Sequence, residues 1–180
     1  MPGSALEIRI ASVDDVAELS EIGQKSFRTA YAGSCSDDDL SDHLTDNFGE
    51  TAIRDELRLV GRTYLLASVH DRAAGMAKLR DGVRPAEVPE SRVIEIQQFY
   101  VSPDQQREGL GGQLMNSVLA WAKAQAFNGV WLSVWEYADW AIGFYNKHEF
   151  MKIGTTDFLL GSTVYNDFLM WRPITRAEKD

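Results

Sequence analysis

Cysteine is almost missing: Cys35 is the only one in 180 residues. No internal disulfide can form, which excludes a small secreted scaffold held by bridges. Long apolar runs are missing too, none approaching the ~20 residues that a membrane helix needs. The N-terminal residues lack the basic-then-apolar order of a secretory signal. A cytoplasmic address with no membrane partner is the expectation. Cations are the minority charge, Lys+Arg 18 against Asp+Glu 27, for a net charge of −9. Nucleic acid is therefore not expected as a partner, since phosphate binding needs clustered cations. An acidic surface instead favours cationic small molecules. His43, His70 and His148 show no metal-ligand spacing, so no metal is expected.

What is present fits one folded domain over residues 1–180, with 44% hydrophobic and 25% charged residues. Residues 7–11 alternate as a strand. Ser12 with Asp15 three residues on reads as a helix cap, followed by a face of Val16, Leu19, Ile22 and Phe27. Ser36 caps a predicted helix carrying Leu40, Leu44 and Phe48. Asp37, Asp38, Asp39, Asp42 and Asp46 lie on its other side, either a solvated face or the lining of a cation entrance. A helical stretch over 50–59 leads to a strand at 63–69, a turn over Asp71–Gly75 and a returning strand at 75–79. Residues 81–91, with Pro85 and Pro89, form a loop. Then come a strand at 93–101, a helix after Gly109, a strand at 130–135, a short helix from Asp139, and strands near 151–156 and 164–171. The order predicts an α+β domain with a mixed sheet.

The segment between the 93–101 strand and the following helix is Gln106-Arg107-Glu108-Gly109-Leu110-Gly111-Gly112. A strand, a glycine-rich turn and a helix N-terminus together present outward N–H groups and a favourable dipole, which reads as a pyrophosphate cradle. It is not a Walker A loop, because Gln113 follows Gly112 where Lys-Ser/Thr is required. It is not a dinucleotide fingerprint either, because Leu114 stands where the third glycine belongs.

Gln106-x-x-Gly109-x-Gly111, Glu95 eleven residues before Gln106, and Asp139-Trp140-Ala141-(x)2-Phe144-Tyr145-(x)4-Phe150 resemble the Gcn5-related N-acetyltransferase (GNAT) superfamily. The element order resembles it over essentially the whole chain. Phe158-Leu-Leu-Gly161 and Asp167-Phe-Leu-Met170 further resemble bacterial spermidine/spermine N-acetyltransferases. The resemblance implies a three-layer α/β/α fold with a mixed, mostly antiparallel sheet of six to seven strands. It implies acetyl-coenzyme A as co-substrate, held by Gln106, Arg107, Glu108, Gly109, Leu110, Gly111 and Gly112, by Phe144 and Asp139, and by the backbone of Phe99, Tyr100 and Val101. It implies direct transfer to an amine, with Glu95 as base and Tyr145 as acid beside the sulfur. A homodimer is common among such proteins.

The chemistry needs such groups. Deprotonating an alkylammonium at pH 7 costs ~4.6 kcal/mol, from ~3.4 pK units at ~1.36 kcal/mol each. A carboxylate accepts that proton, and a phenol can protonate the departing thiolate. Alternatives stay open. Glu95 can be an ion-pair partner on its strand, Tyr145 a core aromatic, and Trp135 or Trp140 a wall of the acceptor cleft. Asp139, Glu149 and Glu108 depart from the family pattern: Asp139 replaces an asparagine, Glu149 a glycine, and Glu108 puts negative charge in the phosphate loop. The acceptor is expected to be a small amine, a polyamine first. A peptide N-terminus, an amino acid, an amine antibiotic or a non-catalytic acyl-coenzyme A sensor are the rivals.

Overall fold

Tyr64 and Leu66 face one way and Leu65 and Ala67 the other, so that each side of the sheet builds its own core. The computed structural model describes residues 6–103 and 109–174. The chain runs β1 (Leu6–Ile10), α1 (Val16–Tyr31), α2 (Asp37–Phe48), α3 (Glu50–Glu56), β2 (Arg62–Val69), β3 (Arg72–Arg80) and β4 (Val93–Val101). It continues with α4 (Leu110–Ala124), β5 (Gly129–Trp135), α5 (Asp139–Lys147), β6 (Met151–Leu160) and β7 (Thr163–Pro173). The seven strands form one sheet in the order β1-β2-β3-β4-β5-β7-β6. Helices α4 and α5 pack on one face, α1 and α3 on the other, and α2 joins α1 against β6 and β7. This is the three-layer α/β/α arrangement with a mixed sheet. No helix among the described residues is long and apolar enough to cross a membrane.

Local chemistry accounts for the boundaries. Ser12 and Asp15 form a reciprocal capping box over the 3-10 turn that opens α1. Leu110, Leu114, Met115, Val118 and Ala122 bury one stripe of α4. Burying each large aliphatic side chain of that kind contributes about 1.5–3 kcal/mol. The β2–β3 turn is tighter than the sequence suggests. It consists of His70 and Asp71, both at positive φ (49° and 62°), and β3 already begins at Arg72. Two consecutive left-handed residues match the twist of a hairpin, and Asp and His tolerate that conformation better than most.

Two irregularities shape the centre of the sheet. First, β4 and β5 are parallel and paired only over Val93↔Gly129, Ile94↔Val130 and Glu95↔Trp131, whereas every other pairing is antiparallel. Past Glu95 the two strands diverge. Second, the β3–β4 register shifts, with Leu79 opposite Ile96 but Lys78 opposite Gln98, so Gln97 is an extra, bulged residue. A bulge reverses which side the following residues face. Ile94 and Ile96 point into the α4 core before it, and Phe99 and Val101 do so after it. Gln98 and Tyr100 are thereby turned toward the α1 side.

Candidate active site

Where β4 and β5 part, a cleft of about 540 Å3 opens through the sheet. Its lining draws on both cores. Val134, Ala138 and Tyr145 belong to the α4–α5 side, and Tyr31, Trp135 and Phe158 border the α1–α2 side. Trp135 and Trp140 are both in the wall, Trp140 largely exposed at the mouth. Packing claims the other tryptophans: Trp131 is buried with its indole N–H donating to Val83 O at 3.1 Å, and Trp121 stacks on Phe127.

Of the expected coenzyme residues, three line the cleft, and Gly109–Gly112 of α4 and Phe144 of α5 lie outside its lining, Phe144 against Phe99. Gly109 is the N-cap of α4 at φ 75°, a left-handed conformation, and no side chain caps the helix there. The first-turn N–H groups therefore have no intrahelical partner and none from the N-cap residue. Leu110 points inward and is buried, so this turn offers backbone outward. A Cβ on Gly111 would lie 3.3 Å from the Phe144 ring, which fixes how closely α4 and α5 approach. Phe144 stacks edgewise on Tyr145 and near Phe99, at 5.5 Å to each ring centroid. Phe99, Tyr100 and Val101 line the cleft. Gln106, Arg107 and Glu108 lie outside the described residues. Asp139 is exposed in the first turn of α5 and absent from the cleft lining, where the helix dipole favours its charge.

Tyr145 lines the cleft and is 9% exposed, and burial raises its phenol above the ordinary value, so it stays protonated through neutral pH. Glu95 is elsewhere. It lies on the paired part of β4, outside the cleft lining, and is 6% exposed. Arg80 Nε donates to its Oε2 at 2.5 Å. The strands are still joined at Glu95↔Trp131, so no gap opens for a substrate there. The residue expected as base forms an ion pair, one of a row in which Lys78 and Arg62 hold Glu56 at 3.0 and 3.1 Å. The α2 aspartates do not line the cleft either: Asp37, Asp38, Asp39, Asp42 and Asp46 are all outside it.

The carboxylate that the cleft does contain is Asp167 on β7, opposite Trp135 and 5% exposed. Among the described residues its buried Oδ1 has no hydrogen-bond partner, and the same holds for Gln98 Oε1 on β4. Burial is the main cause lifting the Asp167 carboxyl from 3.8 to about 6; Ser133 opposes and Glu136 adds to it. The sequence held a signal for this residue. Tyr165, Asp167 and Leu169 alternate on a strand whose inward side is otherwise apolar, and a charge at an inward position asks for a reason.

The model of the Acetyltransferase (GNAT) family matches residues 24–150. An uncharacterized N-acetyltransferase of Lactobacillus delbrueckii subsp. lactis is 25% identical over 93% of this chain and 96% of its own. One from Mycobacterium tuberculosis is 28% identical over 89% of this chain and 98% of its own. Among solved structures, the PaiA N-acetyltransferase of Thermoplasma acidophilum in complex with coenzyme A has the same fold. Its TM-score is 0.73 at 19% identity, covering 94% of this chain and 99% of that one. The open sheet centre, the uncapped glycine entry to α4 and the family match agree: the chain belongs to the acetyltransferase (GNAT) family and is an N-acetyltransferase.

Proposed function

We propose that the enzyme moves an acetyl group from acetyl-coenzyme A to the primary amine of a small cationic acceptor, a polyamine first, by direct attack. The observation that carries this reading is the cleft itself, whose lining draws on both cores of the sheet. The α4 side fits the coenzyme. The uncapped first turn at Gly109–Gly112 suits a pyrophosphate, with Gln106, Arg107 and Glu108 completing the loop. The β5-facing edge of β4 past the last β4–β5 pair at Glu95, around Phe99 and Tyr100, suits the pantetheine amides. When bound, the coenzyme supplies an activated acyl thioester.

The residues of the chain do the rest. Tyr145 gives its proton to the leaving sulfur; its protonated, buried phenol beside Phe144 supports that role. The aromatic wall of Tyr31, Trp135 and Phe158 excludes water and favours a cation over its ring faces. The tail pattern Phe158–Gly161 and Asp167–Met170 supports the polyamine over other amines.

Release of free thiol from acetyl-coenzyme A, with spermidine, a lysine peptide and no acceptor, tests the reading. Release that depends on spermidine is the expected result. Release with the peptide alone would discard the polyamine. Coenzyme binding without release to any amine would make the chain a sensor instead.

A further inference from the structure

Among the described residues that line the cleft, one is acidic and none is basic. That one, Asp167, is walled by aromatic rings. Tyr31 lies 5.9 Å from Trp135, 5.7 Å from Tyr165 and 6.0 Å from Phe158, and Trp135 and Tyr165 are 5.8 Å apart, all ring centroid to ring centroid. The box is held rigidly, since Tyr165 donates its hydroxyl proton to Ser34 O at 2.8 Å. Three residues of the cleft lining carry a buried side-chain oxygen without a hydrogen-bond partner among the described residues: Asp167 Oδ1, Gln98 Oε1 and Ser26 Oγ. Buried polar atoms are left unpaired rarely, because each costs about 1–3 kcal/mol. A ligand with several N–H donors and a positive charge matches acceptors of this kind.

We propose that Asp167 is the catalytic carboxylate of this enzyme: it receives the ammonium of the acceptor inside the aromatic box and takes its proton, while Gln98 orients the amine. This rests on the acetyl-transfer reading above and replaces the base expected at Glu95. An ammonium N–H passes its proton to Asp167, which becomes a neutral carboxylic acid and later returns that proton to water. The freed lone pair forms the C–N bond to the acetyl carbonyl carbon, and the C–S bond breaks. The amide nitrogen sheds a second proton, which offsets the one Tyr145 gives to sulfur. Two protons leave nitrogen, one reaching solvent and one ending on the thiol. Burial brings the two partners together by raising the carboxyl and lowering the ammonium. The groups around Asp167 are Tyr31 from α1, Gln98 and Tyr100 from β4, Ser133 from β5, Glu136 after it, Thr156 opposite on β6, and Tyr165 on β7. Helix α2 sends His43 against Phe27 and Phe158.

The test is the pH dependence of spermidine-driven thiol release in wild type, Asp167→Asn and Glu95→Gln, with coenzyme A affinity measured by calorimetry on each. The expected result is an acid limb of kcat/KM near pH 6 in wild type that persists in Glu95→Gln. In Asp167→Asn, kcat/KM should fall at least 100-fold and lose that limb, with coenzyme affinity unchanged within twofold. Asp167→Asn retaining activity within threefold and the same limb would overturn the assignment while leaving acetyl transfer intact. A limb that disappears in Glu95→Gln would overturn it even if Asp167→Asn failed to fold. Wild type that binds coenzyme A but acetylates no amine would overturn the acetyl-transfer reading, and this proposal with it.

Discussion

Glu95 and Asp167 are both carboxylates less than a tenth exposed on the same face of one sheet, and their surroundings are opposite. Glu95 sits where β4 and β5 are hydrogen-bonded, and Arg80 meets it. Asp167 sits on β7, paired to β5 and β6, and lines the cleft that opens past the last β4–β5 pair, with aromatic neighbours and an oxygen that has no partner among the described residues. A buried charge with a matched cation is a structural element, because removing either partner leaves the other stranded. A buried carboxylate without a cation is a standing cost that folding alone does not justify. The difference teaches where to look for the reaction: among residues the fold leaves unsatisfied.

Three substitutions, one of them read out twice, sharpen this contrast. Asp167→Asn should have the largest effect, a loss of 100-fold or more in kcat/KM for spermidine, about 2.7 kcal/mol of transition-state stabilisation. Steady-state thiol release reads it. Tyr145→Phe should lower kcat by 10- to 100-fold, with KM for spermidine and coenzyme A affinity held within about threefold, since the ring stays and only the proton donor goes. Glu95→Gln should do the reverse of Asp167→Asn. It should lose about 1–3 kcal/mol of stability in urea melts, because Arg80 is left without its carboxylate, while activity per folded molecule stays within about threefold.

The smallest effect is a gain. The folded Asp167 carboxyl titrates near 6, above its ordinary 3.8, so its contribution to stability is fully present below 3.8 and lost as pH rises through 6. An asparagine does not ionise. Asp167→Asn should therefore match wild type at pH 3.5 and exceed it at pH 8, by at most about 2–3 kcal/mol for a shift of roughly two units. Urea melts at the two pH values check the sign. A variant that is more stable yet inactive is the expected signature of a catalytic group held at a cost to the fold.

Much of the fold could be read from the chain because its patterns are local. The β-prone run of β5, the α4 stripe from Leu110 to Ala122 and the Ser12–Asp15 capping box each follow from residues within one or two turns. The glycine entry to α4 was legible for the same reason. The hairpin turn at His70-Asp71 was not, because neither residue is the glycine or asparagine that usually marks two consecutive positive φ values. Glu149 offers a related case. It occupies a left-handed position (φ 62°) just past α5, where glycine is the easy choice, and Arg172 pairs with it at 2.6 Å. The site was harder to read because it depends on register. The bulge at Gln97 and the end of pairing at Glu95 decide which β4 side chains reach the cleft, and neither leaves a mark in the local pattern. The Glu95–Arg80 pair joins two strands fifteen residues apart, and Asp167 meets Tyr31 only once β7 has packed beside α1.

The most direct measurement is thiol release from acetyl-coenzyme A by spermidine at pH 7.5, with Asp167→Asn and Glu95→Gln run side by side at equal folded concentration. The account predicts that Glu95→Gln turns over within about threefold of wild type and that Asp167→Asn falls by 100-fold or more. The opposite pattern, a silent Glu95→Gln and an active Asp167→Asn, would contradict it and return the base to β4.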